Sequence, residues 1–256
     1  MSAADRLTGH LTAVAQAGPS PLWYATRATG VVALILLTVT VALGVASASR
    51  LSSPHWPRVI TAGLHRNISL LVVLFVVVHV VTTLLDPFVS INPASIVVPF
   101  ISSYRPLWVS LGAIAFDLIL ALIVTSLLRS RMPVGAWRAV HWLAYACWPI
   151  ALWHGLGTGT DSKLPWLLLL DAACVLLVAG ALIWRLLQLT PGPGRTAAMA
   201  GTVLVPVATV VFALVGPLAP HWSERASPPD RVASAAARAS SAPLIQQADG
   251  HPVVSK

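Results

Sequence analysis

Charge is what this sequence has least of. Only 9% of its 256 residues are charged and 57% are hydrophobic, whereas a soluble globular domain carries roughly 25% charged residues. So few charges cannot cover a water-facing surface, and a soluble fold is excluded. Acidic residues are the scarcer sign, eight against sixteen basic ones, which leaves a net charge of +8. That excess invites a nucleic-acid reading. No basic tract is interleaved with aromatics in a soluble segment, however, and arginines gathered at cytoplasmic helix ends account for the charge. Cysteine is nearly absent. Cys147 and Cys174 both lie inside apolar runs, have no partner at metal-ligand spacing, and are expected to be packing residues and not a disulfide. The N-terminus lacks the pattern of a cleavable signal.

Long apolar runs are what the chain has instead. A membrane-spanning helix needs about 20 mostly apolar residues. Six stretches qualify: 23–45, 68–85 (continuing backwards as helix to Val59), 107–128, 137–156, 166–187 and 196–218, the last interrupted by Pro206. Ser52-Ser53-Pro54, Asp86-Pro87, Arg131-Met132-Pro133 and Thr190-Pro191-Gly192-Pro193-Gly194 punctuate the runs, as helix boundaries do. The expected fold is an all-α polytopic membrane bundle. It divides into an N-terminal segment 1–22, a transmembrane core 23–187, an additional helix 188–219 and a Pro-, Ala- and Ser-rich disordered tail 220–256.

The positive-inside rule orients the bundle. Arg50, Arg58, Arg66, Arg129, Arg131, Arg138, Arg185 and Arg195 fall in the loops after the first, third and fifth runs. Arg6, Arg27, Arg105 and Lys163 fall on the other side. The eight-residue side is assigned to the cytoplasm, and a multi-pass location in the plasma membrane is expected.

Four histidines then stand out. His65 and His79 are 14 residues apart near the second run, and His141 and His154 are 13 apart in the fourth. Even-numbered spans run in the same direction, so His65 and His141 share one depth near the cytoplasm, and His79 and His154 share another. At 1.5 Å per residue the two levels are about 20 Å apart, within a hydrocarbon core of about 30 Å. Fourteen residues return to nearly the same helix face. Thirteen leave His154 roughly 140° from His141 on an ideal helix, and Pro149 between them is the expected site of the distortion that re-aims it. Neutral imidazole is a good ligand for haem iron, and two imidazoles fill both axial positions, which favours electron transfer over oxygen binding. The expected cofactors are two b-type haems, held by His65 with His141 and by His79 with His154. A single histidine in a spanning helix is more often a packing residue or proton relay. A second reading is therefore a transporter or channel in which the histidines and aspartates form a proton or metal-ion path. A third is a single-haem electron-transfer subunit acting in a complex.

The stretches Leu64-His65-Arg66 through Val78-His79, and Trp137-Arg138-Ala139-Val140-His141 through Trp153-His154-Gly155, resemble the ferric-reductase-like transmembrane domain. That group includes the membrane portion of NADPH oxidases, eukaryotic ferric reductases and the haem subunit of a bacterial methionine sulfoxide reductase system. The resemblance covers roughly residues 23–187, and the 14 and 13 spacings are close to the family's own. It implies an oxidoreductase component. The chain departs from the oxidases and eukaryotic reductases in having no glycine-rich nucleotide loop after a strand-like run. Its own oxidation of NADPH is therefore not expected, and the electrons are expected from a separate donor protein or quinol. Ferric iron, oxygen, a quinone or a partner protein would receive them at the outer face.

Supporting residues follow from this reading. Haem propionates pair with arginine, so Arg66 and Arg138, with Arg58, are candidates at the inner haem, and Arg27 and Arg105 at the outer one. Trp142, Trp148 and Trp153 flank the ligands and read more simply as packing and interface residues. Asp117 and Asp171 interrupt apolar runs. Intramembrane carboxylates are costly, and these two read as a proton path or as neutral groups hydrogen-bonded between the third and fifth helices. Gly155-Leu156-Gly157-Thr158-Gly159-Thr160-Asp161 lacks the Lys-Ser/Thr ending of a phosphate loop and is expected to be a flexible cap over the outer haem. His10, His55, His221 and His251 have no matched partner and read as surface residues.

Overall fold

The computed structural model describes residues 20–49, 57–86, 91–159 and 161–226. The expectations placed on Arg6, His10, Arg50, His55 and His251, and on the tail beyond Ala226, lie outside the described residues. Within them the chain is helical: α1 (Pro21–Ala48), α2 (Arg58–Leu85), α3 (Pro106–Leu127), α4 (Val134–His141), α5 (Ala144–Thr158), α6 (Pro165–Leu187), α7 (Pro193–Val215) and the short α8 (Trp222–Ala226), with 3-10 turns at Pro93–Ile96 and Arg129–Arg131. No strand forms among the described residues.

Proline sets the helix starts. α1, α3, α6 and α7 each begin on a proline in the first turn, where its missing N–H is not needed and its fixed φ is already helical. Ser20 caps α1 by accepting from the Trp23 N–H at 3.0 Å, and its hydroxyl donates to Asp86 Oδ1 at 2.7 Å. The start of α1 is thereby tied to the end of α2, and the two run antiparallel.

Five helices (α1, α2, α3, α6 and α7) are long and apolar enough to cross a membrane. The fourth expected span, 137–156, is not one helix. It is α4 followed by α5, separated at Trp142–Leu143. There the hydrogen bonds tighten to three-residue steps, Leu143 to Val140, Tyr145 to Trp142 and Ala146 to Leu143, as in a 3-10 turn. α5 runs continuously through Pro149. The interruption that changes the aim of His154 relative to His141 therefore lies directly after His141, whereas Pro149 was its expected place. α7 likewise runs through Pro206.

α1 is central, packing on α2, α5 and α6; α3 packs on α4 and α5, and α7 on α6 and α5. The shared core comprises Leu37 and Val41 of α1, Val72 of α2, Ala115 and Ile119 of α3, Cys147, Trp148, Leu152 and Leu156 of α5, and Cys174 and Val178 of α6. Its polar groups are satisfied across helices. Trp148 Nε1 donates to Thr38 Oγ1, and Trp153 Nε1 to Thr209 Oγ1, each at 2.9 Å. Large apolar side chains such as Leu70, Leu74, Leu169 and Leu176 point outward, as a lipid-facing surface requires. The segment around Trp222, expected to open the disordered tail, instead folds as α8, and its indole joins a ring cluster with Trp108 and Phe212.

Candidate functional site

The four histidines meet in two pairs. His65 of α2 faces His141 of α4, with ring centroids 6.2 Å apart and planes at 73°. One level away, His79 of α2 faces His154 of α5 at 6.3 Å and 85°. This is the pairing expected from depth, and it shows that α2 and the α4–α5 unit run parallel. The pairs are called lower (His65, His141) and upper (His79, His154) below. An imidazole-bound first-row metal lies about 2.0–2.1 Å from the ring nitrogen, itself roughly 1.1 Å from the ring centroid, so two opposed ligands put their centroids about 6.3 Å apart. Both pairs have that separation. Among the described residues no cluster of three or more His, Cys, Asp or Glu side chains forms, so each level offers two opposed imidazoles and not a cage for a bare ion.

Second partners fix the rings. His65 Nδ1 lies 3.0 Å from the Thr40 carbonyl oxygen, His79 Nδ1 2.8 Å from that of Thr26, and His154 Nδ1 2.8 Å from that of Trp108. A carbonyl only accepts, so in each case Nδ1 carries the proton and Nε2 keeps its lone pair free for a metal. His141 differs. Its Nδ1 is buried without a hydrogen-bond partner among the described residues, and its ring stacks on Trp137 at 4.9 Å and 20°.

A cavity of about 670 Å³ extends from the upper pair between α1, α2, α3, α5 and α6, and its walls include Gly30, Gly112, Leu34, Val76 and Ile119. Cofactor and ligand pockets of roughly 300–1,000 Å³ are usual, so its size and apolar lining suit a large, mostly apolar group. Of the expected supporting residues, Arg27 reaches this cavity and pairs with Asp161 at 3.2 Å. Arg105 does not serve the cavity. It is buried, and its guanidinium donates to the carbonyls of Gly157, Thr158 and Gly159 at 2.9, 3.1 and 3.4 Å, neutralising the C-terminal end of α5. Arg58, Arg66 and Arg138 are exposed at the lower end. Trp142 is exposed, while Trp148 and Trp153 are spent on the interhelical bonds described above, in line with the packing role.

Asp171 lines the upper cavity and Asp117 does not. Among the described residues no hydrogen bond joins either one to a neighbouring helix, so the bridge expected between them is not formed. Of the Gly155–Asp161 stretch, in which Thr160 lies outside the described residues, Gly155, Leu156, Thr158, Gly159 and Asp161 line the cavity. It continues α5 to Thr158, and Ser162 Oγ donates to the Leu156 and Gly159 carbonyls at 2.9 and 3.0 Å. Cys147 and Cys174 are free and buried. His221 lies in the turn before α8.

Sequence reasoning missed the seats on α1 and α3. The clue was present: Thr26 and Thr40, and Gly30 and Gly44, repeat at the 14-residue spacing of His65 and His79.

Residues 29–152, just under half of the chain, match the family described as ferric reductase like transmembrane component. The resemblance drawn from the histidine stretches is thus shown for that stretch, in a family that is generally haem-binding. His65, His79 and His141 lie inside the matched residues and His154 two residues beyond them. No flavin- or nicotinamide-binding family matches. Comparisons with curated proteins and with solved structures give no significant match.

Proposed function

We propose that this chain, with a ferric-reductase-like transmembrane component over residues 29–152, carries electrons across a membrane through two b-type haems. His65 and His141 hold the lower one, and His79 and His154 the upper. The observation that carries this reading is the twofold repetition of opposed imidazoles at 6.2 and 6.3 Å, a separation that fits a shared metal at each level. Haem would supply reversible one-electron iron chemistry, and the four histidines would hold it.

The chain's own residues orient and insulate. The Thr26, Thr40 and Trp108 carbonyls hold three ligand rings in the tautomer that ligation needs and raise the basicity of their free nitrogens. Leu34, Val76 and Ile119 keep water from the upper site. Arg66 follows His65 directly and Arg138 lies three residues before His141; these two guanidiniums are placed to pair with the propionates of the lower haem. At the upper end that role falls to Arg27. The arginine-rich end faces the cytoplasm of a cell bounded by the plasma membrane. Electrons enter there from a separate protein or a quinol and leave at the outer face to ferric iron, oxygen or a partner protein. A proton- or metal-ion transporter is the less supported alternative, since each level presents two ligands facing each other and, among the described residues, no third.

Haem stoichiometry tests the pairing. His65→Ala and His141→Ala should each lose the same one of two haems, and His79→Ala and His154→Ala the other. Loss patterns that join His65 to His154 would contradict the assignment, and protein without b-haem absorption bands would remove it.

A further inference from the structure

Three of the four ligand rings are held by one repeated device. The carbonyls that accept from His79, His65 and His154 belong to Thr26, Thr40 and Trp108. The residue four positions after each is a glycine: Gly30, Gly44 and Gly112. In a helix, the residue at that position bonds the same carbonyl through its N–H, and its Cβ stands beside that bond. A missing Cβ leaves that flank open to a ring from the neighbouring helix: at Gly112 and Gly30 an added Cβ would crowd the ring, whereas at Gly44 it would come only into ordinary contact. A Cβ on Gly112 would lie 2.5 Å from His154 Cε1, one on Gly30 3.0 Å from His79 Cε1, and one on Gly44 3.4 Å from His65 Cε1.

The fourth ring has no such seat. The ligands of the α4–α5 unit are 13 residues apart, and 13 residues beyond Trp108 and Gly112 on antiparallel α3 stand Ala121 and Thr125. Thr125 takes the glycine's place, and its hydroxyl donates to the Ala121 carbonyl at 2.7 Å. The flank of the Ala121 carbonyl that glycine leaves open at the other three seats therefore carries the Thr125 side chain. His141 closes α4 at the Trp142–Leu143 interruption, and its ring stacks on Trp137, with the Arg129 guanidinium 4.5 Å from that indole.

We propose that Gly30, Gly44 and Gly112 are positioning residues that open backbone carbonyls to the ligand histidines, and that the missing fourth seat makes the lower haem the more readily exchanged of the two. Partners of this kind fix a ligand's ring orientation and strengthen its bond to the metal. The upper site has two such ligands and the lower site one. The inference rests on the two-haem reading above.

The test is haem content together with the rate of haem transfer from the purified full chain to an excess of apo-globin. Wild type should release its haem in two equal phases at least tenfold apart, and Trp137→Ala should quicken only the fast one. Gly112→Ala should quicken the slow phase at least tenfold or abolish that haem, Gly30→Ala should do so by less, and Gly44→Ala should act mildly and on the fast phase alone. Gly180→Ala, whose added Cβ would meet nothing within 4 Å, controls for alanine's effect on a helix. If Gly112→Ala does not fold, the milder contact at Gly30 carries the same comparison. One release phase in wild type, or Gly30→Ala and Gly112→Ala behaving as Gly180→Ala does, overturns the inference. Wild type without haem would instead sink the parent reading.

Discussion

His65, His79 and His154 each commit Nδ1 to a backbone carbonyl and leave Nε2 for a metal, while the buried Nδ1 of His141 has no acceptor among the described residues. Within each pair the rings stand close to perpendicular, at 73° and 85°. Around a haem iron held as proposed, perpendicular imidazole planes would leave the two π-type d orbitals nearly equal in energy. Oxidised protein should therefore give highly anisotropic low-spin EPR signals, and the rhombic spectrum of parallel ligand planes would contradict the ring geometry. Arg105 makes a different residue-scale case. Hydrogen bonds to a charged group contribute about 1.5–3 kcal/mol each, and this buried guanidinium bonds three carbonyls at the end of α5. Arg105→Ala should lower stability by about 2–4 kcal/mol in thermal or denaturant unfolding and weaken the upper haem before the lower. An unchanged Tm would show that the α5 terminus needs no cap. Asp171 opens on the upper cavity and Asp117 does not. Asp171→Asn should shift the upper haem's midpoint potential or its pH dependence, whereas Asp117→Asn should leave both haems as in wild type.

Among the elements, the α4–α5 unit carries the most information. Because α5 passes through Pro149 unbroken and the interruption falls at Trp142–Leu143, Pro149→Ala should keep both haems with unaltered spectra. Selective loss of the upper haem in that variant would restore Pro149 as the device that aims His154. The sequence made much of this unit legible. An ideal helix could not present His141 and His154 on one face, so a distortion between them was required. The residue at fault was misread because proline is the usual helix breaker, whereas here backbone hydrogen bonds tighten among Val140, Trp142 and Leu143 without a proline. The long apolar runs fixed α1, α2, α3, α6 and α7 to within a few residues, since length and hydropathy suffice for a spanning helix. The roles of Arg105 and of Gly30, Gly44 and Gly112 were not legible. They depend on which helix packs against which, and an isolated run of sequence does not carry that information.

The whole molecule is a bundle whose central helix, α1, seats one ligand at each level, and whose α2 presents both of those ligands toward the α4–α5 unit. The two levels are about 21 Å apart along α2 at 1.5 Å per residue, so the pairs lie at different depths of one bilayer of about 30 Å. On the proposed reading, charge moves between the two faces through these two levels. The direct measurement uses sealed vesicles that contain the purified chain and enclose ferricyanide, with a membrane-impermeant reductant added outside. The account predicts bleaching of the enclosed ferricyanide at a rate well above that of empty vesicles, and loss of that rate in both His65→Ala and His79→Ala, because either substitution removes one of the two stations. Bleaching no faster than in empty vesicles, or a rate unaffected by loss of either pair, would contradict it.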